Sequence, residues 1–175
     1  YDPRLLAVKP PQAQCLHDAR QYSVWLKPSG LLAQGTDYGD HCSLVRQAEV
    51  HFRLKRPVLP VHRLDREAAG LMILAHSKTA AAKLSKLLQD NGIDKQYRIT
   101  VLGRPSPEQG TIELPLDKKP ASTGYTLTSY DSVSDTSVVE VTLKTGRLHQ
   151  IRRHFALLGH PVHRDDRLLQ RRCES

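Results

Sequence analysis

Cysteine is scarce in this chain and badly placed for pairing. Cys15, Cys42 and Cys173 stand far apart among 175 residues. No CxxC pair is present, so neither a disulfide framework nor a structural zinc site is indicated, and the usage suits a reducing compartment. Histidine is plentiful, nine in all, yet no HExxH motif occurs, and His149 and His154, five apart, share a helix face poorly. No metal site is expected. No apolar run approaches the roughly 20 residues that span a bilayer, and the opening Tyr1-Asp2-Pro3-Arg4 does not read as a signal peptide. Glycine loops for phosphates or dinucleotides are missing, as are internal repeats and low-complexity stretches.

What is present is a globular composition with a strong positive bias. The length suits one domain with a real core. Lys and Arg number 26 against 18 acids, a net charge of +8 and a pI near 9.6. Such a balance favours a polyanionic partner, because each neutralised phosphate releases condensed counterions. A merely basic surface would look the same by charge alone.

Residues 1–20, Pro- and Gln-bearing and poorly periodic, read as an N-terminal arm or linker, and 21–175 as the domain. Tyr22–Leu26 reads as a strand ended by the turn signal Lys27-Pro28-Ser29-Gly30. Leu44, Val45, Ala48 and Phe52 recur at helical spacing within 43–52. A buried strand is expected at 71–75. Ser77 then stands as N-cap to a helix striped by Ala80, Ala81, Leu84, Leu87 and Leu88 and closed by Asn91-Gly92. Strands follow at 97–102, 111–116, 125–130 and 138–143. Leu148, Ile151, Phe155 and Leu158 then mark a last helix before Gly159 and Pro161. This order predicts an α+β fold with a mixed, mainly antiparallel sheet flanked by helices.

Three segments could carry chemistry. Arg63 and Asp65 sit two apart in His62-Arg63-Leu64-Asp65, ahead of Gly70 and the apolar run Leu71–Ala75. Loops at strand ends are where scaffolds place reactive groups, although a structural ion pair would account for an isolated RxD. Lys95-Gln96-Tyr97-Arg98 opens a strand with a tyrosine between cations, which an ordinary half-buried tyrosine would also explain. Gly146-Arg147-Leu148-His149-Gln150-Ile151-Arg152-Arg153-His154 sets a run of donors at a helix start, suited to an anion or to a solvated basic face.

Taken together, these elements resemble the RluA-type pseudouridine synthases. The resemblance rests on HRLD followed by Gly70-Leu71, on Lys95-x-Tyr97, on the run GRxHQIRxH from Gly146 to His154, and on Gly159-His160-Pro161, in that order over roughly residues 22–165. Lys27-Pro28-Ser29-Gly30-Leu31 also resembles the lysine-proline-glycine segment near the start of that catalytic domain. The resemblance implies an isomerase that detaches uracil from ribose within RNA, rotates it and rejoins it through a carbon–carbon bond, with no cofactor.

By the same resemblance Asp65 matches the catalytic aspartate. It would act either as a nucleophile on ring or sugar or as a base taking a sugar proton, and the residues leave both routes open. Arg147 matches the arginine that pairs with this carboxylate, favouring its charged form and fixing its direction. Tyr97 matches the tyrosine that stacks on the extruded base and whose hydroxyl reaches a proton in the last step. Arg63 matches the arginine that enters the space the flipped base leaves. Leu148 and Ile151 would floor the uracil site, a place in the ordinary core being the competing explanation. His62, His149 and Arg152 complete the expected substrate-contacting set.

Two departures from the family pattern stand out. Ala68-Ala69 occupy positions where relatives carry threonine and serine, so hydroxyls that could brace the Asp65 loop are absent. After Val162 the sequence leaves the family pattern and runs His163-Arg164-Asp165-Asp166, an abbreviated end that would leave a sheet edge unpaired. With no room for an added RNA-binding domain, a compact target is expected, such as a tRNA arm or rRNA stem-loop. A monomer in the cytoplasm, or in an organelle of a eukaryote, is the expected setting, with no membrane association. A catalytically impaired RNA-binding or RNA-chaperone module that kept the fold is the alternative. A glycoside-processing enzyme using Asp65 and Glu67 ranks far behind, since it leaves Arg147 without a role.

Overall fold

The computed structural model describes residues 9–35 and 42–163. Where length alone suggested one domain, the chain divides into two compact units, Tyr1–Asp90 and Asn91–Ser175. Each unit is built on its own four-stranded sheet, and every neighbouring strand pair in both sheets is antiparallel. The α+β class stands, with two sheets in place of one. Parallel pairing among the described residues is confined to the isolated bridge Leu32↔Ser43.

The first unit runs β1 (Gln14–Asp18), β2 (Tyr22–Lys27), α1 (Leu44–His51), β3 (Leu59–Pro60), β4 (Gly70–Ala75) and α2 (Lys78–Gln89), with sheet order β1-β2-β4-β3. Period-two alternation decides which face of β2 is covered. Ser23, Trp25 and Lys27 are buried, while Tyr22, Val24 and Leu26 are half-buried or exposed. Opposite them, Trp25 pairs with Met72 and Ser23 with Leu74, and both β4 side chains are fully buried. Each such side chain contributes about 1.5–3 kcal/mol of burial. Phe52, just past α1, meets Trp25 and His76 edge-on and carries the Arg56 guanidinium over its ring.

A buried polar string runs through this core. Trp25 Nε1 donates to Ser23 Oγ, and Ser23 Oγ also meets His76 Nε2 at 3.0 Å. His76 Nδ1 lies 2.9 Å from the Pro57 carbonyl. A carbonyl only accepts, so Nδ1 carries the proton and Nε2 accepts from the Ser23 hydroxyl. Burial pushes the His76 pKa down, which keeps the ring neutral, as this string requires.

The reading of residues 1–20 as an arm needs correction. Gln14–Asp18 is a strand paired to β2, and Arg56 ties its end through Asp18 and the Ala19 carbonyl. Only Cys15 in that strand is shielded. An edge strand with one inward residue has no alternation to announce it, and its order comes from the partner strand. Residues 1–8 lie outside the described residues, as does the abbreviated end at 164–175 with its expected unpaired edge. Strand β3, two residues with a proline, also had no readable pattern.

The second unit runs β5 (Gln96–Leu102), β6 (Gln109–Ile112), β7 (Thr123–Asp131), β8 (Thr136–Leu143) and α3 (Gln150–Leu157), with order β5-β8-β7-β6. Val101, Ile112, Tyr125, Val139, Val141 and Phe155 form its core, with Tyr97, Ile99 and Ile151 packed against them. The strand expected at 111–116 stops at Ile112. Leu116 and Lys119 exchange backbone hydrogen bonds across Asp117 and Lys118, both at positive φ, so the chain turns there. Beyond α3, the Leu102 amide donates to Pro161 and the His163 amide to Thr100, laying the tail of the described chain along β5.

Both N-caps in the first unit are serines. Ser43 Oγ accepts from the Arg46 amide, and Ser77 Oγ from the Ala80 amide at 3.1 Å. Replacing Ser77 with alanine should cost about 1 kcal/mol in urea unfolding, whereas Ser85→Ala, inside the same helix, should cost nothing.

Candidate active site

The loop between β3 and β4 carries the first group of candidate residues. Its ends are fixed by backbone: Val61 N donates to Ile73 O, and Ile73 N donates to His62 Nε2 at 3.1 Å. His62, expected to contact substrate, thus spends this ring nitrogen on holding the loop to β4. Leu64 turns inward and is buried, while Arg63 is exposed and Asp65 half-buried. The buried leucine is the anchor that aims its two polar neighbours away from the core. Gly70 closes the loop at φ +148, a backbone conformation that side-chain-bearing residues rarely adopt, so a substitution there would strain the entry to β4.

The Asp65 turn is braced, although not by the hydroxyls the sequence lacks. Ala68 N donates to Asp65 O at 3.1 Å, closing the turn on itself, and Gly30 N donates to Arg66 O at 2.8 Å. Arg66 Nε returns a bond to Gly30 O, and Ser29 Oγ donates to Glu67 O at 2.8 Å. Lys27 is the centre of this brace. Its side chain is fully buried, and its ammonium donates to the carbonyls of Leu31 at 2.6 Å, Pro28 at 3.1 Å and Arg66 at 3.2 Å. Burial pushes the Lys27 pKa down to about 8, against the opposing pull of the Glu67 and Asp65 carboxylates. Lys27 was legible only as part of a family-like segment. The available signal was its parity with buried Ser23 and Trp25, which places a lysine on the covered face of β2.

In the second unit Tyr97 lies on β5 opposite Val141. It is half-buried, and with Gly110, Gly124 and Val141 it lines a shallow concavity of the sheet. The expected donor run at 146–154 divides into two parts with different work. Arg147, Leu148 and His149 precede α3, which begins at Gln150. His149 takes the N-cap position in the left-handed region, φ 51, with no side-chain cap. Leu148 is 58% exposed, which excludes a core role for it, whereas Ile151 packs on the core. Arg152 is half-buried on the first turn of α3.

Gln150 and His154, the motif's buried members, hold this turn in place. Gln150 Oε1 accepts from the Arg147 amide at 2.9 Å and from Thr145 Oγ1 at 2.8 Å. Its Nε2 donates to Ser122 O and to Thr123 Oγ1. Thr123 Oγ1 also meets His154 Nδ1 at 2.9 Å, and His154 Nε2 lies 2.9 Å from Leu114 O. Since Leu114 O accepts, Nε2 bears the proton and Nδ1 accepts from Thr123, which gives a fully satisfied neutral string. Arg147 Nε donates to Pro120 O at 3.0 Å. The same 117–120 loop is gripped by a two-pronged Arg153–Asp117 contact, whose hydrogen bond holds the Asp117 carboxyl below its ordinary range.

Thus the structure groups His62, Arg63 and Asp65 on one braced loop of the first unit. Arg147, Leu148, His149, Ile151 and Arg152 fall on one turn and helix start of the second, with Tyr97 on the adjoining sheet. Lys27 and Gln150, which hold the two backbones, were absent from the expected site set. Among the described residues no group of three or more His, Cys, Asp or Glu side chains is placed to hold a metal.

Comparison with known proteins gives a consistent result. A family model described as RNA pseudouridylate synthase matches residues 21–157. An uncharacterised RNA pseudouridine synthase of Aquifex aeolicus is 30% identical, covering 92% of this chain and 58% of that protein. The dual-specificity RNA pseudouridine synthase RluA of Escherichia coli K12 is 33% identical over 154 residues, covering 78% of this chain and 68% of that protein. Among solved structures, human RNA pseudouridylate synthase domain containing 4 superposes with a TM-score of 0.68 at 26% identity, covering 85% of this chain and 66% of that one. Human RNA pseudouridylate synthase domain containing 1 gives 0.73 at 21% identity, covering 90% and 71%, a likeness of fold. The chain spans 58% of the length of the Aquifex protein, 68% of RluA and 36% of an uncharacterised RNA pseudouridine synthase of Chloroflexus aurantiacus.

The Gln150 amide gives a direct test of the architecture. Gln150→Leu takes away the acceptor of the Arg147 amide and the donor to Ser122 O and Thr123 Oγ1, and should cost about 1–3 kcal/mol in denaturant unfolding. Leu148→Ala, at an exposed position, should stay within about 0.5 kcal/mol of wild type.

Proposed function

Because this chain belongs to the RNA pseudouridylate synthase family, RluA type, we propose that it isomerises uridines in RNA to pseudouridine. The observation that carries this reading is the family match over residues 21–157, a span that contains Asp65, Tyr97 and Arg147 together with their flanking motifs.

In this reading Asp65 is the catalytic carboxylate. The reaction needs an ionised, compact oxygen group beside the glycosidic bond, delivered without slack. A half-buried aspartate on a turn clamped at its next two carbonyls suits that need. The carboxylate attacks ring or sugar, or removes a sugar proton, and the released uracil rotates and re-forms its link through carbon 5. Arg147 carries the guanidinium that the family resemblance assigns to favouring an ionised carboxylate. Tyr97 stacks on the extruded base and uses its hydroxyl for the final proton transfer. Arg63, exposed beside Asp65, fills the gap left in the RNA stack. Leu148 offers the uracil an exposed apolar contact, and Ile151, His62, His149 and Arg152 complete the substrate-contacting set.

The chain's net charge of +8 supports an RNA partner bound through its phosphates. The substrate is a structured element of tRNA or rRNA, and the protein works as a monomer in the cytoplasm or an RNA-containing organelle. No helix among the described residues is long and apolar enough to cross a membrane.

Tritium release from RNA labelled at carbon 5 of uracil tests this without knowledge of the target, because that hydrogen leaves when carbon 5 becomes the attachment point. Wild type should release tritium from unmodified RNA, and Asp65→Asn should lower the rate on the order of 10³-fold or more while RNA binding stays. RNA binding by wild type with no release would reject the synthase reading in favour of a binding module. With the same assay, Tyr97→Phe should keep affinity and lose turnover on the order of 10²-fold; normal turnover would remove the hydroxyl from the mechanism.

A further inference from the structure

Antiparallel pairing sets the ends of strands distant in sequence side by side. In the first sheet Ala75 opposes Tyr22 of β2 on one side and Leu59 of β3 on the other. The β1–β2 turn, the entry to β3, the end of β4 and the start of α2 therefore gather at one end of that sheet. Gly70 and the braced Asp65 loop lie at the other end. The run of β4 from Gly70 to Ala75 separates the two ends by about 17 Å.

The gathered end is strongly basic. Arg20, Arg53, Lys55 and Lys78 are all exposed there. Arg56 is engaged by Asp18 and Arg46 by Glu49, which commits the acids of this end among the described residues and leaves the four exposed cations unbalanced. The backbone that carries them is firmly tied. Phe52 meets His76 edge-on and bears the Arg56 guanidinium 3.6 Å over its ring. Arg56 also donates to Ala19 O, and Pro57 O accepts from His76. Residues 52–57 are thus held to the β1–β2 turn and to the end of β4 at once. Arg46, Leu54, Lys55, Arg56 and Pro57 line a concavity of about 460 Å³ on this face.

Two features here are costs that folding does not explain. Arg53 and Leu54 are consecutive non-glycine residues at φ 52 and 57, a strained conformation for such side chains. Leu54 is 65% exposed, so little burial offsets that strain. Lys78 stands at the first position of α2, whose first turn holds no acid, and its charge opposes the helix dipole. Strain and unfavourable charge persist where a partner makes use of them. We propose that this end of the first unit is a second RNA-binding surface, on which Arg20, Arg53, Lys55 and Lys78 hold the sugar–phosphate backbone of the substrate away from the reacting uridine. Phosphates are the matching partner, because each one neutralised releases condensed counterions. The strand length between the two ends exceeds the screening length of about 8 Å at physiological salt, so these cations supply affinity and leave the chemistry at Asp65 alone. The choice of RNA rests on the synthase reading, whereas the anion-binding surface rests on charge and placement.

The test uses carbon-5-labelled, unmodified tRNA and rRNA transcripts. It reads the dissociation constant against salt, kcat from tritium release at saturating RNA, and acetylation of individual lysines by mass spectrometry. Arg53→Gln with Lys55→Gln, and separately Arg20→Gln with Lys78→Gln, should weaken binding on the order of 10-fold at physiological salt. Each pair should also lower the slope of log Kd against log salt by about 2. KM should rise with kcat unchanged, the signature of lost uniform binding. Lys83→Gln with Lys86→Gln removes the same charge further along α2 and should change neither affinity nor slope. RNA should shield Lys55 and Lys78 of wild type from acetylation and leave Lys83 and Lys86 reactive. Equal losses from all three pairs would reduce the effect to net charge and overturn the surface. A fall in kcat with affinity unchanged would overturn it too. Shielding by polyglutamate as strong as by RNA, at matched charge, would overturn RNA as the occupant in favour of an acidic protein. Should a variant not fold, the shielding pattern of wild type decides. RNA binding with that pattern and no tritium release would reject the synthase reading while supporting the surface.

Discussion

A cation inside a protein must be given oxygens or give up its proton, and the first unit is organised around one such bargain. Lys27 ends β2 on its covered face and is supplied with three backbone carbonyls. Those carbonyls come from two irregular segments that share no ladder of their own. The ammonium therefore does what a sheet does elsewhere: it pairs backbone carbonyls of two segments and gives a loop the fixity of an element. Gly70 completes the arrangement by letting the chain enter β4 beside buried Leu64. Asp65 lies between these fixed points, on a loop by secondary structure yet held at both ends.

The second unit reaches the same end with a neutral group. Gln150 has two acceptor directions and two amide hydrogens, and the structure uses them on Arg147 N, Thr145 Oγ1, Ser122 O and Thr123 Oγ1. His154 extends the string to Leu114. A primary amide suits this place because it brings donors and acceptors to one point with no charge to desolvate. The turn that carries Arg147 ahead of α3 is thereby set by tertiary bonds, with His149 in the left-handed region just before the helix. In both units the reactive candidates are half-buried or exposed, while Lys27 and Gln150, which hold their backbones, are buried.

This division of labour explains how the turn carrying Ala68-Ala69 is held without hydroxyls. Its brace comes from backbone amides and from Lys27, Ser29 and Arg66. Nothing in the clamp requires a side-chain oxygen at 68 or 69. The geometry of the loop asks for a buried residue at 64 and a glycine at 70.

Much was legible before the fold was known, for a definite reason. Helices and central strands advertise themselves through local periodicity, so Ser77 with its apolar stripe and the alternation at 138–143 marked their elements. The motifs around Asp65, Tyr97 and Arg147 marked the family and the candidate chemistry. What local pattern cannot encode is a partner distant in sequence. The edge strand Gln14–Asp18 and the two-residue strand Leu59–Pro60 exist because β2 and β4 offer them free backbone groups. The division into two units, each with its own sheet, likewise follows from which strands meet. So do the roles of Lys27 and Gln150: as letters they are a lysine in a strand and a glutamine in a basic helix, and only burial 39 residues from Arg66 and 28 from Ser122 makes them the clamps of a site. The sequence determined the residue types and local elements because those depend on neighbours along the chain. The tertiary structure decided which polar groups are buried together, because hydrogen-bond satisfaction depends on neighbours in space.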